Sequence, residues 1–134
     1  MTSLTLKIRF VISDSLAFGK EAVFAKAGFH PPIYLCYGPY RTFEQGNYRA
    51  DFLLRLQDLP STPEDTEVAL LEVATDLGKR ILGKRLVRVN ELRSDSYRAI
   101  GVDFRIPFRC EVGYRVKFLD KTDLLIDRIE GFNS

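Results

Sequence analysis

The sequence predicts an α+β fold, a mostly antiparallel sheet with two helices, and three stretches carry that expectation. Near the start, "LTLKIRFVI" alternates apolar and polar residues as a half-buried strand does. In the middle, "PSTPEDTEVALLEVATDLGKRILGKRL" combines capping residues with an apolar stripe at helical spacing. Later, "IGVDFRIPFRCEVGYRVKF" (100–118) is apolar at every even position from Ile100 to Phe118. The order reads β-α-β-β-α-β-β, closed by a tail that fits either a further strand or a helical turn.

The first strand turns Leu4, Leu6, Ile8, Phe10 and Ile12 to one face. "SDSLAFGKEAVFAKAGFHPP" then reads as a helix, capped by Ser13 or Asp14 and stopped by Gly28, Pro31 and Pro32. "IYLCY" is wholly apolar and predicts a strand buried on both faces, followed by the loop "GPYRTFEQGN". "YRADFLLRLQ" alternates again, with Tyr48, Ala50, Phe52, Leu54 and Leu56 inward. In the second helix, Ser61 and Thr62 each precede an acid by three residues, and Pro63 occupies the first helical position. Leu70, Ala74, Leu77 and Ile81 make its stripe, and Lys79, Arg80, Lys84 and Arg85 suit the negative end of the dipole, with Gly83 as the stop. "RLVRVNEL" is a strand, "RSDS" a turn, and the tail "TDLLIDRIEGF" stays open between strand and helical turn.

The ribbon at 100–118 sets a geometric problem. As one straight strand it would span roughly 60 Å, whereas a chain of this length has a radius of gyration of roughly 14 Å. A two-residue hairpin turn would exchange even for odd positions, so the unbroken parity excludes one. Two solutions remain: one strand bent or bulged near Pro107, or two strands joined by an odd-length loop around "EVG". Pro107 cannot donate to a ladder, which puts this position at an edge or a bulge. Part of the ribbon is then expected at an edge, able to pair with another chain.

At 134 residues, a single domain over 1–134 is expected, and 46% hydrophobic with 28% charged residues is ordinary globular composition. No apolar run reaches the roughly 18 residues that span a bilayer, and the start lacks a signal-peptide pattern, so the expectation is cytoplasmic with no membrane partner. Cys36 and Cys110 have no partner at metal or redox spacing and read as buried thiols. "GKRILGKR" departs from the phosphate-binding loop because Arg85 replaces its hydroxyl. Asp58, Glu64, Asp65 and Glu67 belong to a helix N-terminus, and no His or Cys joins them as a metal set. His30, before two prolines, has a loop role; with no serine elbow or Cys–His pair, the sequence points to no enzyme, no catalytic residue and no cofactor.

Charge is segregated: residues 58–78 hold 6 acids and no base, and residues 79–121 hold 12 bases against 5 acids. The basic segment carries the alternative reading, a nucleic-acid-binding module. Against it, period two puts Phe104, Phe108 and Tyr114 on one face and Arg105, Arg109 and Arg115 on the other, so stacking rings would not share a surface with cations.

From Pro32 to about Tyr114, the succession resembles the phage tail terminator (tail-completion) family, including contractile-tail and Mu-like prophage versions. The shared pattern is "PPIYLCYGP", a loop, "YRADFLLRLQ", a helix ending in "LGKRILGKRL", and the long strands "YRAIGVDFRIPFRCEVGY". The resemblance implies a structural protein forming a ring, a hexamer, that caps the tail tube and meets the head connector. It would assemble in the host cytoplasm and remain in the virion. Head-to-tail contacts need two unlike patches. The acidic stretch with Asp58, Glu64 and Asp65, and the ribbon's basic face with Arg98, Arg105, Arg109 and Arg115, are the interface candidates. Tyr40 and Phe43 in loop 38–47 add an aromatic contact, unless their rings fold back onto the core.

Overall fold

In the computed structural model, which describes residues 11–28, 33–58, 62–76 and 79–133, the chain is a sandwich of two antiparallel sheets. Its strands are β1 (Val11–Ser13), β2 (Glu21–Ala25), β3 (Ile33–Phe43), β4 (Gly46–Leu56), β5 (Glu67–Thr75), β6 (Arg80–Arg88), β7 (Arg98–Ile106), β8 (Cys110–Phe118) and β9 (Leu124–Asn133). One sheet has the order β1-β2-β9-β4-β7, the other β3-β8-β5-β6. Among the described residues there is no α-helix, so the α+β expectation is corrected to an all-β sandwich.

Neither expected helix forms: the described part of the first is a turn and the strand β2, and the second is a strand pair. After β1 the chain reverses tightly, with Asp14 N–H donating to the Lys20 carbonyl at 2.9 Å and Lys20 at φ 66°. It returns as β2, antiparallel to β1 and to β9. Val23 and Phe24 suit a strand, and β9 supplies the long-range partner that the local cap signals could not weigh. The second helix is the β5–β6 hairpin. Pro63 and Thr66 close a turn (3.1 Å) where a capping box was expected, and Asp76 takes φ 54° near the hairpin end. Leu70, Ala74 and Ile81 match helical spacing, but Ala69, Leu71 and Val73 match period two equally well. With β8 pairing along β5, the strand wins. Leu77 lies outside the described residues, as do His30 and most of the first predicted strand.

The other elements are nearer expectation. β4 turns Ala50, Phe52, Leu54 and Leu56 into the core, as its alternation requires. β3 runs on to Phe43, through residues read as a loop. The undecided tail is β9, paired with β2 on one side and β4 on the other.

The ribbon is two strands joined by the three residues Pro107, Phe108 and Arg109, an odd-length loop at the proline rather than at "EVG". β7 lies in the five-stranded sheet and β8 in the four-stranded one, so the connection is an arch across the sandwich. Ile100, Val102, Phe104 and Ile106 face the core from one side, and Val112, Val116 and Phe118 face it from the other. β8 is an interior strand between β3 and β5.

Phe52, Phe118, Leu35, Leu54, Leu71, Ile106, Leu124 and Ile126 are fully buried between the sheets, each contributing about 1.5–3 kcal/mol. At the arch end, Phe43, Tyr48, Phe104 and Tyr114 form a ring cluster, with Phe43 and Tyr48 edge to face at 4.9 Å. β6 and β7 meet closely on one side: a Cβ at Gly83 would sit 2.9 Å from the Asp103 carbonyl. Arg85 spans the same seam, donating to the Gly101 carbonyl (3.1 Å) and pairing with Glu91 (2.6 Å).

A second, smaller core lies outside the five-stranded sheet, where Ala17, Ala22 and Leu125 are buried with Ile12, Phe24 and Tyr97 packed against them. Its polar centre is Asp14, which receives Arg55 Nε and Nη2 at 3.1 Å each and the Tyr97 hydroxyl at 2.6 Å. Arg55 Nη1 satisfies the Leu56 and Ser94 carbonyls. Burial works to raise the Asp14 pKa, but the Arg55, Tyr97 and Leu16 N–H hydrogen bonds outweigh it and hold it below the usual carboxylate value.

Two predictions follow from this packing. Gly83→Val forces the β6–β7 seam apart and costs about 1–3 kcal/mol in urea unfolding. Because the folded Asp14 pKa is depressed, its stabilisation is present above about pH 4 and is lost as pH falls through the folded value. Asp14→Asn is therefore less stable at neutral pH, and its stability declines less between pH 4 and pH 2 than that of the parent.

Candidate functional site

The outer faces of the two sheets differ in what covers them. On the five-stranded sheet, the small core covers one end, and much of the remaining charge pairs within the face. Arg49 binds Asp51 at 2.8 Å and lies across Gly101, Arg128 binds Asp127 and Glu130, and Arg105 donates to Asn47 at 3.3 Å.

The outer face of the four-stranded sheet is a grid fixed by strand register. One row across the strands is Tyr34, Lys117, Leu70 and Leu86. The next holds Arg115, Glu72 and Lys84, and the third Gly113, Ala74 and Ile81. Each row crosses to β6 over roughly 10–14 Å, and rows stand roughly 7 Å apart. Gly113 and Ala74 are buried, so the third row offers only the exposed Ile81 side chain above the backbone. The first two rows carry the chemistry.

At their centre, Arg115 Nε donates to Glu72 Oε1 at 2.6 Å, and the Glu72 side chain is only 7% exposed. The same guanidinium stands 4.5 Å from the centre of the Tyr34 ring, and Lys117 Nζ stands 5.5 Å from it. Tyr34, on edge strand β3, keeps 36% of its surface exposed. Burial first, then the Glu72 carboxylate, raise the Tyr34 pKa, with Arg115 opposing. The result is an aromatic ring contacted by two cations, beside an ion pair that holds the guanidinium in place. Such a surface can stack on the apolar face of a ring-shaped ligand and hydrogen-bond its hydroxyls. Other exposed rings stand more singly: Phe18 over Arg128 at 4.7 Å, Phe108 in the arch, and Phe132 near the end of β9. Among the described residues, no three His, Cys, Asp or Glu side chains gather as a metal site.

Of the residues singled out by sequence, Arg115 alone belongs to this constellation. Asp58, Glu64 and Asp65 are exposed in the β4–β5 connection, Arg98 opens β7, and Arg105 lies on the other sheet. Arg109 pairs with Glu44 at 3.0 Å at the arch. Phe43 packs inside with Tyr48 and Tyr114, while the Tyr40 side chain is outside the described residues. Tyr34, Glu72, Lys84 and Lys117 went unrecognised. The one available signal was Glu72, a lone carboxylate inside the apolar run "VALLEVAT", which a period-two reading would have set opposite Arg115.

No family model matches the sequence, and no curated protein matches it. Solved structures do share the fold. The C-terminal CBM6 of LamC, a laminarinase from Zobellia galactanivorans, is 11% identical with a TM-score of 0.59, covering 92% of this chain and 91% of that one. The CBM22-1–GH10 modules of the Clostridium thermocellum xylanase Xyn10B, complexed with xylohexaose, are 10% identical with a TM-score of 0.56. That match covers 95% of this chain and 24% of that chain. TmCBM61, solved with β-1,4-galactotriose, is 16% identical with a TM-score of 0.50, over 92% and 81% of the two chains. These neighbours are carbohydrate-binding modules, and the likeness is one of fold.

This fold overturns the tail-terminator resemblance. The helix ending "LGKRILGKRL" on which that pattern turned is a hairpin, and the ring, tail-tube and head-connector partners came only with the pattern. The nucleic-acid alternative falls with it. Residues 79–121 are divided between the two sheets, β7 in one and β6 with β8 in the other, so the basic run is not one continuous surface.

The ion pair generates its own prediction. Arg115→Ala leaves Glu72 buried and unpaired and lowers stability by about 3 kcal/mol in denaturant titration. The double variant with Glu72→Gln recovers a large part of that loss.

Proposed function

We propose that this chain is a non-catalytic carbohydrate-binding module and that the outer face of its four-stranded sheet takes the glycan. One observation carries the reading: the exposed Tyr34 ring is held beside the Arg115–Glu72 pair on the sheet face that, among the described residues, is the less covered of the two. The fold likeness to sugar-binding sandwiches supports it. A pyranose presents an apolar face of C–H groups and a rim of hydroxyls, and the surface answers each part. The tyrosine ring covers the C–H face, while guanidinium N–H groups, ammonium groups and the tyrosine hydroxyl meet the rim. Glu72 is buried beneath, so its part is to fix Arg115 before the ligand arrives. A preformed donor costs less ordering entropy on binding. Leu70 and Leu86 extend the apolar floor across the row.

The reaction this arrangement performs is binding alone. Among the described residues the two central rows hold one carboxylate, Glu72, committed to Arg115, rather than the paired carboxylates that glycoside hydrolysis generally uses.

The test is affinity electrophoresis against a panel of soluble polysaccharides, followed by titration calorimetry with the best oligosaccharide. Tyr34→Ala is expected to lose at least tenfold in affinity, about 1.4 kcal/mol, with an unchanged circular-dichroism spectrum. Unaltered affinity in this variant contradicts the proposed face.

A further inference from the structure

We infer that the glycan taken by this face is acidic, a polysaccharide bearing carboxylate or sulfate groups; the inference rests on the binding reading above. It comes from the charge left over once the local pairs are formed. Glu72 is the one acid in the two rows, and its charge is satisfied by Arg115 at 2.6 Å. Lys117 and Lys84 remain, one in each row and on either side of β5, and neither has an ion-pair partner among the described residues. Their positions on the strand grid are roughly 12 Å apart. Lys117 is not free to wander, because its ammonium is drawn to the Tyr34 ring at 5.5 Å, the ring that would stack on a sugar. A cation held beside a stacking ring meets whatever substituent the stacked sugar carries at its rim. Lys84 stands on edge strand β6, exposed and opposite Glu72.

The contrast with the opposite sheet sharpens the point. There Arg49 has Asp51 and Arg128 has Asp127 and Glu130, so the cations of that face are largely neutralised in place. In the two rows of the proposed binding face the surplus is positive, with Lys117 beside the aromatic ring and Lys84 on the far strand β6. A neutral glycan leaves that surplus unanswered. An anionic one is attracted to it, and its oxygens form charge-assisted hydrogen bonds with the ammonium groups.

The experiment pairs acidic and neutral forms of one backbone, using the full chain and affinity electrophoresis at fixed ionic strength. Polygalacturonate is set against its methyl ester, and carrageenan against its desulfated form, with polyglutamate as a charge-only control. The inference expects at least tenfold tighter retention by one acidic member than by its neutral counterpart, and the responding pair tells carboxylate from sulfate. The exposed-site double variant Lys84→Gln/Lys117→Gln should lose that preference, whereas Tyr34→Ala should lose retention altogether. Equal or tighter binding of the neutral partner overturns the acidic inference and leaves glycan binding standing. Polyglutamate retained as strongly as the acidic glycan also overturns it, since charge alone then suffices. No retention of these or of any neutral polysaccharide in the panel overturns both readings.

Discussion

Pro107, Phe108 and Arg109 carry the chain from the edge of one sheet into the middle of the other, and the rest of the sandwich is arranged around that crossing. Because even-numbered residues point inward on both β7 and β8, the two strands bury opposing rows that meet in one core. Proline suits the exit from an edge strand, where no ladder partner awaits its missing N–H. Once β8 lies between β3 and β5, its odd-numbered residues must face out. Arg115 and Lys117 are thereby placed against Tyr34, and Arg115 against Glu72 as well. The core and the candidate site are two faces of the same register.

Much of the strand content was legible, and the helices were misread for an identifiable reason. β4 and the ribbon alternate without ambiguity, and their buried residues follow that alternation closely. The segments around β2, β5 and β6 are short apolar runs bounded by good capping residues, and such runs satisfy period 2 and period 3.6 together. Their fate depends on partners far away in sequence. β9 pairs with β2 and β8 with β5, and neither partner is visible from local propensity. Asp14 illustrates the ambiguity: read as a helix cap, it instead centres a buried network with Arg55 and Tyr97, drawn from residues 41 and 83 positions away.

The site was harder to see than the fold. Tyr34 sits in "IYLCY", which reads as buried on both faces, yet its side lies on an edge strand. Glu72 disappears into a helix reading that treats acids as solvated. Lys84 and Lys117 are ordinary surface lysines until register sets them beside the Tyr34, Arg115 and Glu72 group. Charge runs along the sequence were informative in the wrong way. The bases of residues 79–121 are many, but strand crossing sends them to different sheets, and what matters is the local remainder after pairing.

The central claim is that one defined sheet face binds glycan. Amide chemical-shift mapping, during titration of isotope-labelled protein with the best-retained oligosaccharide, tests it most directly. The account predicts that the largest shifts fall on Tyr34, Leu70, Glu72, Lys84, Leu86, Arg115 and Lys117, with little change on β4, β7 or β9. Shifts concentrated at the Pro107–Arg109 arch, at the turn carrying Phe18, or on the outer face of the five-stranded sheet would contradict it.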